Sequence, residues 1–137
     1  MNENLINDYS SEDKPKSVFW GVNLLFIALI FEAVYIWLQG TTISSFLLVL
    51  LIIGYIVFLV NNGKKWARSL ILFITIVKTI TLPFVIWNFI KSDTWNTIKV
   101  ILLSMLLFKY LVELFAIIML YSKSANVWFN REKKAWV

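Results

Sequence analysis

Apolar residues fill four long runs, at residues 18–38, 43–60, 69–90 and 97–121, while polar residues gather in the breaks between them and at both ends. Each run holds roughly the 20 residues that, at 1.5 Å rise per residue, cover a hydrocarbon core about 30 Å thick. The first break, Gln39-Gly40-Thr41-Thr42, is short and uncharged, so the second run must return beside the first. The second break opens with the turn-forming trio Asn61-Asn62-Gly63 and continues into Lys64-Lys65-Trp66-Ala67-Arg68. The third, Lys91-Ser92-Asp93-Thr94-Trp95-Asn96, is nearly balanced in charge. This pattern predicts an all-α integral membrane protein, an antiparallel up-and-down four-helix transmembrane bundle over residues 18–121. A disordered cytoplasmic tail at 1–17 and an interfacial cytoplasmic tail at 122–137 are expected to flank it.

Composition sharpens the picture. Of the 137 residues, 60% are hydrophobic, and the mean hydropathy of +0.77 is too high for a water-facing surface. Cysteine and histidine are both missing, which excludes disulfides, thiol redox chemistry, thiolate or imidazole metal sites and every triad built on either residue. No cofactor and no metal are expected. The formal net charge of +5 does not point to nucleic acid, because the basic residues sit in short clusters between apolar runs.

Those clusters set the orientation instead. Lys14 and Lys16, then Lys64, Lys65 and Arg68, then Lys123, Arg131, Lys133 and Lys134 all fall on one side, against Lys91 and Lys99 on the other. Basic loops resist translocation, so both ends are expected in the cytoplasm of a bacterial inner membrane. Trp20, Trp37, Trp66, Trp87 and Trp95 fall near run ends, where an amphipathic indole anchors at the lipid–water boundary. Trp128 is expected to do the same in the tail, where it stands with Phe129, Trp136 and basic residues as a segment lying on an anionic leaflet. A cleaved signal peptide is the competing reading of the first run, but no small-x-small cleavage site follows and Glu32 interrupts it.

Four ionisable residues fall well inside the runs: Glu32 in the first, Lys78 in the third, Lys109 and Glu113 in the fourth. Each costs about 2.5 to 3.5 kcal/mol at mid-bilayer, so they must find partners or water. Two acids balance two bases. Glu32, Lys78 and Lys109 come out at similar depths, with Glu113 one turn nearer the cytoplasm. Lys109 and Glu113 share a face of one helix and can pair within it, leaving Glu32 to Lys78 across helices. The alternative is a shared network in which both lysines approach the same carboxylate. Tyr35 and Gln39 continue the Glu32 stripe, and Thr75 and Thr79 accompany Lys78. Pro83 deprives the Thr79 carbonyl of its helical donor and predicts a kink in the third run. Gly54 is a candidate for close helix approach.

Several boundary segments resemble a group of small, mostly uncharacterised four-span bacterial inner-membrane proteins. They are Lys14-Pro15-Lys16-Ser17-Val18, Gly63-Lys64-Lys65-Trp66-Ala67-Arg68, Leu82-Pro83, and the stretch from Tyr121-Ser122-Lys123 to Val127-Trp128-Phe129. The resemblance implies a location and no activity, and it carries no residue roles.

The leading expectation is a non-enzymatic membrane protein, an accessory or partner-binding subunit whose charge cluster is structural. Its partners would be membrane lipids and another membrane protein or further copies of itself. A small oligomeric proton- or ion-coupled transporter or channel, with Glu32 as the protonatable site, is the second reading. A toxin-immunity membrane protein is a third. An enzyme acting on lipid is the weakest, for want of a metal cluster or a nucleophile–base pair.

Overall fold

The computed structural model describes residues 14–92, 94 and 96–131. Among them five helices follow in order: α1 (Lys16–Leu38), α2 (Ile43–Asn61), α3 (Lys65–Lys91), α4 (Thr97–Leu120) and α5 (Lys123–Arg131). The first four are each long and apolar enough to cross a membrane. Expectations for residues 1–13 and 132–137, which include Trp136, and for Trp95 fall outside the described residues.

The breaks read from the sequence are real helix ends with identifiable chemistry. At the end of α2, Gly63 takes φ +80°, its N–H donates to the Val60 carbonyl at 3.0 Å, and the Lys64 N–H reaches back to the Leu59 carbonyl at 3.0 Å. That is the paired closure a left-handed residue permits, and glycine adopts it without a Cβ penalty. After α1, Gly40 turns with φ +71° and donates to the Trp37 carbonyl at 3.1 Å. There the Thr41 hydroxyl supplies the bond to the Ile36 carbonyl, at 2.8 Å. Asn96 starts α4 by accepting the Lys99 N–H at 3.0 Å, an N-cap bond to the third helical residue.

Helix α3 begins at Lys65, four residues before the predicted run at 69. Lys, Trp, Ala and Arg are all compatible with a helix, and the glycine closure ends α2 tightly enough for α3 to start at once. The basic cluster is therefore largely the first turn of α3. Pro83 lies inside α3, and the helix continues through it to Lys91.

Among the long helices, α1 packs on α4 most extensively and next on α2, while α3 makes lighter contact with both α2 and α4. Along α1 and α4, Gly21 meets Ala116 and Leu120, and Phe31 meets Phe108 edge-on at 5.1 Å. Along α1 and α2, Gly54 faces Leu29 and Trp37 meets Phe46.

Packing is uneven along the bundle. The buried core joins Val18, Val22 and Leu25 of α1 to Val57 and Val60 of α2, Ala67 and Ile71 of α3, Ala116 and Leu120 of α4, and Ala125 and Phe129 of α5. All of these lie toward the end where α5 crosses the bundle. Toward the other end, Trp37, Leu38, Ile43, Leu47, Trp87, Ile90 and Ile98 are exposed. Large apolar side chains also cover the outside, with Leu51 72% and Phe84 71% exposed.

Of the two helical glycines, Gly21 and not Gly54 marks a close helix approach. A Cβ on Gly21 would lie 2.9 Å from Leu120 Cγ and 3.2 Å from the Ala116 carbonyl oxygen, whereas one on Gly54 would meet only Leu29 Cδ2 at 3.8 Å. Gly21→Val is therefore expected to destabilise the protein by about 1–3 kcal/mol through overpacking of the α1–α4 seam. Gly54→Ala should be neutral or stabilising by up to about 1 kcal/mol, because it removes a helical glycine. Unfolding in a denaturing-detergent titration distinguishes the two; equal effects would contradict this assignment of the close approach.

Candidate functional site

The four ionisable residues that lie well inside the apolar runs meet in one place. Lys78 Nζ on α3 lies 3.1 Å and 3.3 Å from the two oxygens of Glu113 on α4, and 3.8 Å from Glu32 on α1. Lys109 on α4 pairs with that same Glu32 oxygen. Charge thus alternates along a chain, Lys109 to Glu32 to Lys78 to Glu113, which ties α1, α3 and α4 together. Helix α2 contributes none of its charges.

The expected pair within α4 does not form: among the described residues no ion pair joins Lys109 to Glu113. Four residues of helix turn the chain through about 400°, which leaves residues four apart about 40° out of line. That offset directs Lys109 toward α1 and Glu113 toward α3. Each finds a partner there that the weaker Lys-before-Glu arrangement along one helix does not match. The expected Glu32–Lys78 pair is present only as the long contact, and the alternative of two lysines sharing one carboxylate is the arrangement found.

The two ends of the chain of charges are buried more deeply than its middle. Side-chain exposure is 6% for Lys109, 7% for Glu113, 17% for Glu32 and 33% for Lys78. Hydroxyl groups surround the cluster, and one of them bonds Glu113. Thr75 donates to Glu113 Oε1 at 2.8 Å, and to the Ile71 carbonyl at 3.0 Å as an alternative acceptor. Thr79 bonds the Tyr110 hydroxyl at 2.7 Å, and Tyr35, buried, presents its ring 5.2 Å from Lys109 Nζ. Tyr110 was not expected from the sequence, since its partner Thr79 is remote along the chain. Pro83 is exposed on α3, beyond these contacts.

A cavity of about 80 Å³ adjoins this cluster, lined by residues of α1, α2 and α3 and by Glu113 of α4. Leu25, Leu29, Ile53, Val57, Ile71 and Ile74 form its apolar wall, and Glu32, Lys78 and Glu113 its polar one.

A second polar centre lies at the α5 end, built on Arg68. Sequence position alone marks Arg68 as a topology signal, yet it is 4% exposed. Its Nη1 donates to the Leu120 carbonyl at 3.0 Å and to Asn126 Oδ1 at 2.8 Å. Its guanidinium lies between two rings, 4.3 Å from that of Tyr121 and 4.4 Å from that of Phe129. Leu120 ends α4, where carbonyls lack helical donors and the helix dipole is negative, so a cation is stabilised there. Asn126 in turn donates to the Tyr121 carbonyl at 3.1 Å. The tail's first stretch is thereby a helix locked onto the bundle, with Ala125 and Phe129 buried. Ser17 and Ser124 bond at 2.9 Å, Lys65 donates to Asn130 at 2.9 Å, and Lys14 contacts Asn61 and the Trp128 ring. Partial burial lowers the Lys14 pKa below its ordinary value.

Of the expected anchors, Trp20, Trp37, Trp66 and Trp87 are all more than half exposed at helix ends or within a few residues of them. Trp128 is half-buried and stacks edge-on with Phe129 at 4.9 Å. No group of three or more metal-ligating side chains occurs among the described residues. No protein-family model, curated protein or solved structure matches the chain.

Glu113→Leu is expected to destabilise the protein by about 3 kcal/mol, the low end for breaking a buried pair because Lys78 keeps some access to its surroundings. Thr75→Val should cost about 1–2 kcal/mol by removing one donor to the same carboxylate. Equilibrium unfolding of the two variants checks the order; a smaller loss for Glu113→Leu than for Thr75→Val would contradict the geometry.

Proposed function

We propose that this chain is a non-enzymatic multi-pass protein of a bacterial inner membrane, an accessory or partner-binding subunit whose charge cluster holds its helices in register. The observation that carries the reading is the mutual pairing of Glu32, Lys78, Lys109 and Glu113 across three helices, which leaves each charge facing its opposite. Such pairing fixes register and orientation in a small bundle.

Insertion in a bilayer is supported by the four long apolar helices and by the apolar side chains exposed around their outside. In water a surface of that kind would form an apolar patch far larger than monomers tolerate; in lipid it is the expected exterior. An antiparallel up-and-down arrangement is supported by the contact register. Gly21 with Leu120 and Glu32 with Lys109, or Leu29 with Gly54 and Trp37 with Phe46, rise along one helix as they fall along the other. Lys14, Lys16, Lys64, Lys65, Arg68 and Lys123 all belong to the α5 end, which supports placing that end and both termini in the cytoplasm. The basic residues there and the exposed indoles would meet anionic headgroups.

Extraction of the full-length protein from native membranes in mild detergent is expected to recover a second membrane protein in constant ratio. A monomer that carries no partner under those conditions would contradict the accessory reading.

The cavity beside the charged cluster favours a second reading, a small oligomeric transporter or channel coupled to protons or ions. Under it, Glu32→Gln abolishes a flux that the wild type supports in proteoliposomes while leaving the fold intact. An unchanged flux in that variant removes Glu32 from any coupling role.

A further inference from the structure

Asn23 places an amide on the outer face of α1. Its neighbours one turn away along the helix, Phe19, Trp20, Phe26 and Ile27, are all more than 40% exposed, and residues three and four apart share a face. Asn23 follows Lys16, the first residue of α1, by about 10 Å of helix, too deep for so short a side chain to reach the headgroups. It is half-buried, and among the described residues its amide has no hydrogen-bond partner. Thr81 and Ser104, exposed on α3 and α4, differ in that they donate to carbonyls of their own helices, at 3.1 Å and 2.8 Å. Hydrocarbon offers an amide neither donor nor acceptor, so a protein group must supply both.

The residues in line with Asn23 form a seam. Phe19, Asn23, Phe26, Ile30 and Ala33 are spaced alternately four and three apart, the heptad repeat by which two helices wind around each other with a left-handed crossing. Helices α2 and α4 pack on α1 without covering this stripe, and Ile30 is 63% exposed.

Self-complementarity selects the occupant. An asparagine amide both donates and accepts, so two of them satisfy each other. A two-fold axis along the membrane normal sets the stripe against its own image with Asn23 at equal depth in both chains, as an isologous interface requires. No charge falls between Ser17 and Phe31, so nothing inside the seam repels its image. Lys16 continues the repeat only at the boundary, where water and salt screen it.

From these observations we infer that α1 is the seam of a parallel homodimer. A second copy of this chain packs on Phe19, Phe26, Ile30 and Ala33, and the two Asn23 amides bond to each other. A lone asparagine in such a seam fixes its register. The inference goes beyond the accessory reading and holds whether or not a different membrane protein copurifies.

The chain has no cysteine, so single-cysteine variants of the full-length protein report the interface directly. Oxidation with copper phenanthroline in reconstituted vesicles, at a series of lipid-to-protein ratios, is expected to link Ile30→Cys into disulfide dimers, because opposed seam positions lie within the roughly 7 Å that a disulfide spans. Leu51→Cys on α2 and Phe84→Cys on α3, both more exposed than Ile30, should lose their cross-links as lipid is added. Combining Asn23→Leu with Ile30→Cys should weaken dimerisation about tenfold, read from the lipid dilution at which half the chains cross-link. Asn23→Gln, which keeps the amide, should restore most of that loss, and neither change should alter the helical circular dichroism. Cross-linking through Leu51→Cys or Phe84→Cys as efficient as through Ile30→Cys, no dimer at any ratio, or dimerisation unmoved by Asn23→Leu would each overturn the inference.

Discussion

A chain of alternating charge crosses three helices, and each of its charges is paired with a residue of another helix. Glu32 on α1 depends on Lys109 of α4, Glu113 of α4 depends on Lys78 of α3, and Lys78 also leans toward Glu32. An ionised group left alone among apolar side chains is costly enough to reject any arrangement in which it lacks a partner. Sliding α1 along α4 by one turn would separate Glu32 from Lys109, and rotating α4 would trade one pair for a clash. Apolar contacts are far less particular. They hold α2, which brings no charge, against α1, whereas α3 packs lightly and takes much of its position from Lys78, Thr75 and Thr79.

Arg68 does at one end of the bundle what the carboxylates do in its middle. Opening α3 with a cation opposes that helix's own dipole, but the guanidinium meets the carbonyl end of α4, where the dipole favours it. Tyr121 and Phe129 close over its faces and Asn126 takes a second N–H. The helix after α4 is therefore drawn inward, and the best-buried part of the core lies beneath it. On the far side of the charges little is buried beyond Tyr35 and Leu102. The cluster stands at the border between a packed half and a loose half, and the cavity opens at that border.

The four long helices were legible because each break carries a signal that is local in sequence. Gly40 and Gly63 supply left-handed turns, and Asn96 caps the helix that follows it. The membership of the charged cluster was legible too, since a charged residue within a long apolar run must find company. Its pairing was not. Spacing along one helix places Lys109 and Glu113 on a common face but says nothing about which neighbour each side chain meets, and that is decided by how α1 and α3 sit on α4. Arg68 escaped for a similar reason: in sequence it belongs to a basic cluster, and only the tertiary approach of Leu120, Asn126 and Phe129 makes it a buried centre. The close contact at Gly21 depends on Leu120, about a hundred residues away in sequence, so no local pattern announced it.

If the ion pairs set the register of the bundle, Glu32 and Lys109 must act as a unit. A double-mutant cycle with Glu32→Gln, Lys109→Met and the two combined, read by equilibrium unfolding of the full-length protein in a fixed lipid environment, measures that coupling directly. The combined variant should be less destabilised than the two single losses added together, by about 1–3 kcal/mol. Losses that add to within about 0.5 kcal/mol would mean that the two residues act independently and that something other than paired charge aligns the helices.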